Sequence, residues 1–386
     1  MGMASVRIGS AFGIPIKLGA SFLLVVPLLA YIIGVQIELT VELLNDAFAA
    51  GIDPEPLADG ATPWLLGLAA ALGLFASVFF HELGHALAAR RYDLETQSIT
   101  LWFLGGLAQF AEMPEDWHKE FVIAIAGPIV SVAVGVVCYI GFVLLPAEFP
   151  AVLFVLGYLA ILNVVLAFFN MLPGFPMDGG RVLRALLSRN RSRLEATQTA
   201  AAVGKGFALL LGFFGILTFS IFAIAIAFFI YIAASSETQQ IFVETAFEGI
   251  TVTELMTPAV RLDTVSPELP LDRLLERMMR ERHTGYPVLD EGELVGIVTL
   301  EDLQERADAD DTVVADVMST ELATVGPNDE ATSALRTIQQ ENIGRLLVVD
   351  DDGSLAGLLS RTDLMKALEI AQQSRSIPAE PQSLER

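Results

Sequence analysis

Two histidines and a glutamate carry the clearest chemical signal in this 386-residue chain, in the segment His81-Glu-Leu-Gly-His85. Residues four apart project from one face of an α-helix, so both imidazoles can bind one metal ion. Glu82, beside the first histidine, is a side chain that can act as general base toward the water of a zinc site. The spacing therefore predicts a helix that carries two zinc ligands and a base.

A hydrolytic zinc site needs a third protein ligand as well as an open coordination position. Cys138 is the only cysteine, so that ligand has to be a histidine or a carboxylate. We favour Asp178 in the stretch Asn170-Met-Leu-Pro-Gly-Phe-Pro-Met-Asp178, because its prolines break the helix and an aspartate on such a turn can point at a metal. The alternative is that Asp178 caps the following helix. His118 is the weaker candidate, since its neighbours suggest an interfacial position.

Apolar segments long enough to cross a bilayer surround these residues. Hydrophobic residues make up 53% of the chain and charged residues only 18%, and a span needs about 20 mostly apolar residues. The candidate spans are residues 18–35, 64–89, 121–145, 151–172 and 200–235. The last segment is long enough to fold back near residues 212–220. We therefore expect an α-helical polytopic membrane domain (residues 1–235) with about six spans; five spans are the alternative.

The charges outside these spans predict an orientation. Residues 36–63 carry six acidic residues and no basic one, whereas basic residues cluster on the opposite side. Basic segments stay in the cytoplasm, so we expect that side to be cytoplasmic, together with the C-terminal part if residues 200–235 cross twice. The orienting residues are Arg7, Arg90, Arg91, Arg181, Arg184, Arg189, Arg191 and Arg193.

The motifs and their places along the spans resemble those of the site-2 proteases, intramembrane zinc metalloproteases that cut transmembrane substrates. The likeness covers about residues 5–235. It rests on three motifs that close or interrupt successive spans: His81–His85, Ala126-Gly-Pro128 and Asn170-x-x-Pro-x-x-Pro-x-Asp-Gly179.

The resemblance implies one zinc ion per chain, bound by His81, His85 and Asp178. It also implies that Glu82 is the catalytic base and that Asn170 donates a hydrogen bond to the oxyanion. Two alternatives come from the residues alone. The histidines of a polar helix end can bond lipid headgroups, and the asparagine can merely satisfy the carbonyls of a broken helix.

Residues 100–110 are too short to span, and Gly105-Gly106 at their centre favours a hairpin or re-entrant strand at the cytoplasmic interface. The resemblance suggests a strand beside the active site, whose edge can hold an unwound substrate segment by strand addition. A plain interfacial loop is the alternative.

The C-terminal part is polar and contains a repeat. Residues 283–303 align with residues 342–364, and Asp302 and Asp363 lie 61 positions apart. A period near 60 with mixed α/β character indicates two copies of one small module. We expect a linker at 236–248, the copies at 249–310 and 311–372, and a disordered tail at 373–386.

Both copies contain the pattern Gly-x-x-Thr/Ser-x-x-Asp, which resembles that of CBS domains, modules that occur in pairs. The resemblance implies binding of an adenine nucleotide, with Asp302 and Asp363 on ribose and Thr299 and Ser360 near the phosphates. It also allows a homodimer through these domains. The alternative in either copy is a helix cap without a ligand. The best-placed bases for phosphate are Arg345 and Arg361.

The net charge of −23 is concentrated in residues 236–386, which hold 30 acidic and 12 basic residues. This balance excludes the basic surface of a nucleic-acid-binding protein. An acidic surface with only four lysines in the chain is typical of a high-salt cytoplasm, such as that of a halophilic archaeon. An ordinary acidic domain is the alternative.

These observations predict a zinc-dependent intramembrane endopeptidase of the cell membrane that acts on transmembrane proteins and is modulated by a cytoplasmic CBS pair. A CBS-regulated transporter or channel is the first alternative, but it needs ionisable groups spread along a pathway. Here those groups collect at two span ends. A catalytically silent scaffold is disfavoured because His81, Glu82, His85 and Asp178 are all present.

Overall fold

The computed structural model describes residues 5–103, 105–110, 114, 116–306 and 312–376. The chain forms two compact units, Met1–Ile241 and Phe242–Arg386. The first contains the long apolar helices, and the second contains the repeat.

A four-stranded sheet in the first unit joins two hairpins that are far apart in sequence. In sheet order its strands are β1 (Ser5–Ala11), β2 (Ile14–Gly19), β3 (Thr96–Trp102) and β4 (Gly105–Phe110). β2 and β3 run parallel, while each hairpin is antiparallel. The hairpin expected within residues 100–110 is confirmed. Among the described strands β4 has one neighbour only, so it forms an edge of the sheet.

Nine helices are described from residue 22 to residue 247. They are α1 (Phe22–Val35), α2 (Ile37–Phe48), α3 (Glu55–Ala58), α4 (Thr62–Arg90), α5 (Trp117–Leu144), α6 (Pro150–Asn170), α7 (Asp178–Leu187), α8 (Arg193–Leu217) and α9 (Ile221–Phe247). Five of them (α4, α5, α6, α8 and α9) are long and apolar enough to cross a membrane. The expected division of residues 200–235 into two helices is confirmed.

The first expected span differs from the structure. Residues 18–19 belong to β2, and α1 has 14 residues, a length of about 21 Å that falls short of a hydrocarbon core of about 30 Å. α1 and α2 form a pair bent by 70°, which gives a sixth span if the pair is one broken span. The fold is thus five to six apolar membrane-length helices.

Small residues let α4 lie close to its neighbours. A Cβ at Gly67 would lie 2.1 Å from the backbone oxygen of Ala30 in α1, and Ala70 and Ala71 are fully buried. Close backbone approach of this kind increases van der Waals packing, one of the forces that hold helices together in a membrane, where lipid is as apolar as the side chains. Helix α4, which carries the histidines, is therefore held firmly at the centre of the unit.

The second unit is an α/β region with two sheets. One sheet has the order β5 (Thr257–Pro258), β10 (Leu355–Ser360), β9 (Arg345–Val349), β8 (Thr324–Val325), and the other pairs β6 (Gly285–Asp290) with β7 (Glu293–Thr299). Its helices are α10 (Val252–Leu255), α11 (Leu271–Glu281), α12 (Leu300–Arg306), α13 (Val314–Val317), α14 (Ala331–Gln340) and α15 (Arg361–Ser376).

The two copies of the repeat exchange their first segments. Val252 of α10, from the start of the first copy, is buried in one hydrophobic cluster with Ile338 and Leu359 of the second copy. Val314 of α13, from the start of the second copy, is buried with Leu274 of the first. Each hydrophobic cluster therefore contains residues from both copies of the repeat.

The three boundaries expected in the C-terminal part have different outcomes in the structure. The segment 236–248, expected as a linker, is helical as far as Phe247 because α9 continues through it. The boundary at 310/311 lies outside the described residues. Of the tail expected at 373–386, residues 373–376 extend α15, and residues 377–386 also lie outside the described range.

Candidate active site

Helix α4 carries His81 and His85 on one face. Asp178, the first residue of α7, lies next to both of them. His81 Nε2 lies 3.0 Å from Asp178 Oδ2, His85 Nε2 lies 3.1 Å from the same oxygen, and the two nitrogens are 3.2 Å apart. All three residues are buried. The structure therefore brings together the three side chains expected to bind metal.

The three atoms fit a zinc ion in spacing and in chemistry. Ligand atoms about 2.0–2.1 Å from a tetrahedral zinc lie roughly 3.3 Å from one another, which is close to the separations found here. His85 Nδ1 lies 2.7 Å from the carbonyl oxygen of Ile123. A carbonyl only accepts, so Nδ1 donates to it, and in the neutral form of the ring Nε2 presents a lone pair that can bind a metal. That lone pair faces the Asp178 carboxylate, an arrangement that a cation between them stabilises.

Helix α5 orients both imidazoles from behind. His81 Nδ1 lies 2.8 Å from the hydroxyl of Ser131, which is fully buried, and His85 Nδ1 donates to Ile123 as described. Such contacts on the outer nitrogen fix the tautomer and the ring plane of a metal ligand. They are positioning contacts that the sequence motifs do not reveal.

Gly127 makes this contact with α5 sterically feasible. A Cβ at this position would lie 2.2 Å from His85 Nε2 and 2.7 Å from His81 Nε2. Only glycine leaves room for the ligand nitrogens so close to the helix backbone. This is the physical reason for the glycine of the Ala126-Gly-Pro128 motif.

The turn between α6 and α7 holds Asp178 through close backbone contacts. A Cβ at Gly179 would lie 2.2 Å from the Leu172 oxygen, and one at Gly180 would lie 2.5 Å from the Phe175 nitrogen. Gly204 of α8 packs equally tightly against the Phe175 oxygen. The glycines therefore let the turn fold onto α7 and α8 and fix the carboxylate.

Glu82 lies beside a cavity of about 400 Å³ that is also lined by His81, His85 and Asp178. The backbone N–H of Ala108 in β4 donates to Glu82 Oε2 at 3.0 Å. Gly106 comes so close that a Cβ there would lie 2.3 Å from Glu82 Cγ. The expected base is therefore held between α4 and the edge strand, and the strand lines the same cavity.

Asn170 also lines this cavity, but its amide donates to the Leu166 carbonyl at 3.0 Å. This hydrogen bond satisfies a helix carbonyl, which is the alternative role that the sequence suggests for Asn170. It uses one of the two amide hydrogens, so the expected donor role stays a prediction. His118 lies exposed at the start of α5, and the structure does not bring it to the group of His81, His85 and Asp178.

Two of the arginines assigned to orientation, Arg181 and Arg184, have different surroundings. Arg181 lines the active-site cavity. Arg184 has no exposed side-chain surface and forms ion pairs with Glu120 of α5 and Glu237 of α9. The orientation role was therefore an incomplete interpretation of Arg184, because a fully buried guanidinium does not face a membrane surface. Nothing in the sequence distinguishes the buried Arg184 from Arg189, which is exposed.

The second unit has its own cavity, of about 1100 Å³, lined in part by Thr299, Asp302 and Arg345. Arg345 donates to Thr284. Among the described lining residues it is the one base, beside four carboxylates, those of Glu301, Asp302, Glu321 and Glu341. Burial lowers the pKa of the Arg345 guanidinium, an effect that nearby Asp363 opposes. Ser360 and Asp363 do not belong to the described lining.

The two repeat aspartates make the same local contacts. The backbone N–H and hydroxyl of Thr299 both donate to Asp302 Oδ2 at 2.7 Å. Ser360 donates to Asp363 Oδ2 in the same way, at 3.1 Å from nitrogen and 2.5 Å from the hydroxyl. Each carboxylate thus caps the start of its helix, as the alternative reading of these residues expects. The structure does not test a nucleotide contact.

Comparisons with known proteins agree with this geometry. Residues 69–154 and 146–214 match Peptidase family M50, and residues 252–308 and 314–370 each match the CBS domain. A zinc metalloprotease of Methanocaldococcus jannaschii is 33% identical over 373 residues, which are 95% of this chain and 97% of that relative. The chain belongs to the M50 family. It is a zinc metalloprotease of the site-2 protease type with a C-terminal CBS pair, and a multi-pass membrane protein.

Solved structures similar to each part are known. A site-2 protease from Methanocaldococcus jannaschii matches with a TM-score of 0.42 at 32% identity, over 61% of this chain and 95% of that one. The CBSX2 protein in complex with AMP matches with a TM-score of 0.30 at 32% identity, over 33% of this chain and 99% of that one.

Proposed function

We propose that this site-2 protease is a zinc-dependent endopeptidase that hydrolyses peptide bonds of transmembrane proteins. The observation that carries the proposal is the cluster of His81, His85 and Asp178, buried among membrane-length helices and open to the cavity that Glu82 lines. A hydrolytic site placed among such helices suits substrates that are themselves in the membrane.

The residues of the site divide the chemistry between them. Zinc bound by the two histidines and Asp178 supplies a Lewis acid that polarises a peptide carbonyl and lowers the pKa of water. Glu82 accepts the proton of the attacking water and then delivers it to the leaving nitrogen. The hydrogen bond from Ala108 keeps the Glu82 carboxylate beside the cavity, so the base does not have to be ordered during the reaction.

The edge strand β4 is the proposed substrate platform. Its residues Gly105–Ala108 line the active-site cavity, and β4 is the last strand of its sheet. A transmembrane helix has its peptide groups hydrogen-bonded internally, so it has to unwind before a carbonyl reaches the site. An edge strand can replace the lost hydrogen bonds by pairing with the extended segment. The second amide hydrogen of Asn170 can then donate to the developing oxyanion.

The CBS pair is proposed to lie in the cytoplasm. One sheet contains strands before α1 and after α4, which supports a common side of the membrane for Arg7, Arg90 and Arg91. Two further helix pairs, α5 with α6 and α8 with α9, are long and apolar enough to cross the membrane, and two crossings by each pair would return the chain to that side. The side that collects basic residues is cytoplasmic by the positive-inside rule.

We propose that the CBS pair binds one adenine nucleotide and thereby modulates proteolysis. The cavity with Thr299 and Asp302 has the size for such a ligand, and the ribose hydroxyls can bond the Asp302 carboxylate. In the part of the lining that the structure describes, Arg345 is the one base beside four carboxylates, so a monophosphate fits the local charge better than a triphosphate does. A ligand can shift the pair between two arrangements only by the difference in its binding free energy for them, which is usually about 1–3 kcal/mol.

Incubation of the purified full-length protein with candidate single-span proteins tests the endopeptidase function. The intact enzyme should cleave at least one of them within its membrane segment, whereas Glu82→Gln should not. A protein that binds one equivalent of zinc and yet cleaves none of a broad set, or an equally active Glu82→Gln variant, would contradict the proposal.

A further inference from the structure

The buried ion pairs of Arg184 join the elements that carry the metal ligands. Arg184 Nε donates to Glu120 Oε1 at 2.6 Å, and its Nη1 donates to Glu237 Oε1 at 2.8 Å. The Arg184 side chain is 0% exposed and that of Glu120 is 7% exposed. An ion pair this deep is costly to desolvate, and a hydrophobic replacement of the same volume is often as stable. A buried ion pair is therefore weak evidence for added stability.

The partners of Arg184 show what the pairs hold in place. Glu120 lies one helical turn before Ile123 in α5, and Ile123 is the residue whose carbonyl accepts from His85. Arg184 lies in α7, which begins with Asp178. The pair between Arg184 and Glu120 therefore joins the helix that carries the third ligand to the turn of α5 that orients the second.

Arg184 also contacts the chain on the other side of Asp178. Its guanidinium carbon lies 4.9 Å from the ring centroid of Phe175, a buried residue three positions before Asp178. Arg184 itself is six positions after Asp178, about 9 Å along the helix axis. The two segments that flank the ligand are thus both held by one side chain.

We propose that Arg184 is a positioning residue for the metal site, acting through Glu120 on the distance between Asp178 and His85. The guanidinium does not touch the three ligands, and its effect passes through α7 and α5. Glu237, whose side chain is 24% exposed, adds a second and weaker restraint from α9. The inference rests on the proposed binding of zinc by these three residues.

Zinc affinity of the full-length protein in detergent, measured by competition with a chelator, tests this role. Arg184→Met and Glu120→Gln should both weaken zinc binding by about 10–100-fold, the usual effect of residues that support metal ligands. Arg184→Lys should recover part of the affinity, because an ammonium can still pair with Glu120. Glu237→Gln should have a smaller effect than Glu120→Gln.

The visible spectrum of the cobalt-substituted protein provides a second readout, because its band intensity follows ligand geometry. The spectrum should change in Glu120→Gln and stay unchanged in the matched control Arg191→Met, which alters an exposed arginine just beyond the same helix.

Wild-type zinc affinity and an unaltered cobalt spectrum in Glu120→Gln would overturn the inference, even if that variant melted at a lower temperature. If Arg184→Met does not accumulate as folded protein, Glu120→Gln, which keeps the side-chain shape, decides the question. A wild-type protein that bound no zinc would instead refute the proposed metal site, so the two failures are distinguishable.

Discussion

Replacing Gly127 by alanine should destroy the metal site although the same change usually strengthens a helix. Alanine is favoured over glycine in a helix interior by about 1 kcal/mol. At this position, however, the new Cβ would lie 2.2 Å from His85 Nε2, 2.6 Å from His85 Cε1 and 2.7 Å from His81 Nε2. Ordinary contact between such atoms needs about 3.4 Å or more.

At Gly127 the steric clash of the new Cβ outweighs the gain in helix propensity. His85 Nε2 has to move by about 1.2 Å to reach ordinary contact, whereas metal–ligand distances tolerate only about 0.2 Å. We therefore expect Gly127→Ala to lose most of its bound zinc and its proteolytic activity while α5 stays helical. Metal analysis of the purified variant and cleavage of a single-span substrate measure these two losses.

Gly206→Ala is the matched control for this experiment. Gly206 lies in α8, and a Cβ there would meet no described atom within 4 Å. That variant should keep full zinc content and activity, with equal or higher thermal stability. Normal zinc content and normal cleavage in Gly127→Ala would refute the close approach of α5 to the ligand nitrogens.

Three further outcomes follow from the site and from the CBS pair. Glu82→Gln should retain zinc, because Glu82 is not a ligand, but should lose about 10²–10⁴-fold in cleavage rate; equal activity would exclude its role as base. Asp178→Ala should lower zinc content and activity together, while His118→Ala should leave zinc content unchanged; the opposite pattern would exchange their roles. In calorimetry at high salt, the full-length protein should bind AMP more tightly than ATP in the absence of Mg²⁺, and Asp302→Ala should weaken AMP binding more than Asp363→Ala. No heat with either nucleotide would assign the pair to docking or dimerisation.

Local sequence was enough to predict the features that depend on near neighbours. Two histidines four positions apart share a helix face in any α-helix, so their joint position needed no knowledge of the fold. The lengths of the apolar segments predicted the membrane helices, and the repeat predicted two similar modules. The start of the first span was misplaced, because the apolar residues at the end of the half-buried strand β2 run directly into those of α1, so composition does not show where the strand ends.

Features that depend on distant parts of the chain were decided by the tertiary structure. Asp178 lies 93 positions after His85, and only the turn that packs on α7 and α8 brings its carboxylate to the imidazoles. Arg184 is the same residue type as the nearby Arg189, yet it is buried because Glu120 and Glu237 meet it from 64 and 53 positions away. The exchange of first segments between the CBS copies is hidden in the same way, since a repeat shows which segments are alike and not which ones pack together. Periodicity is a local property of the chain, whereas the burial of a charge depends on which distant groups are present to compensate it.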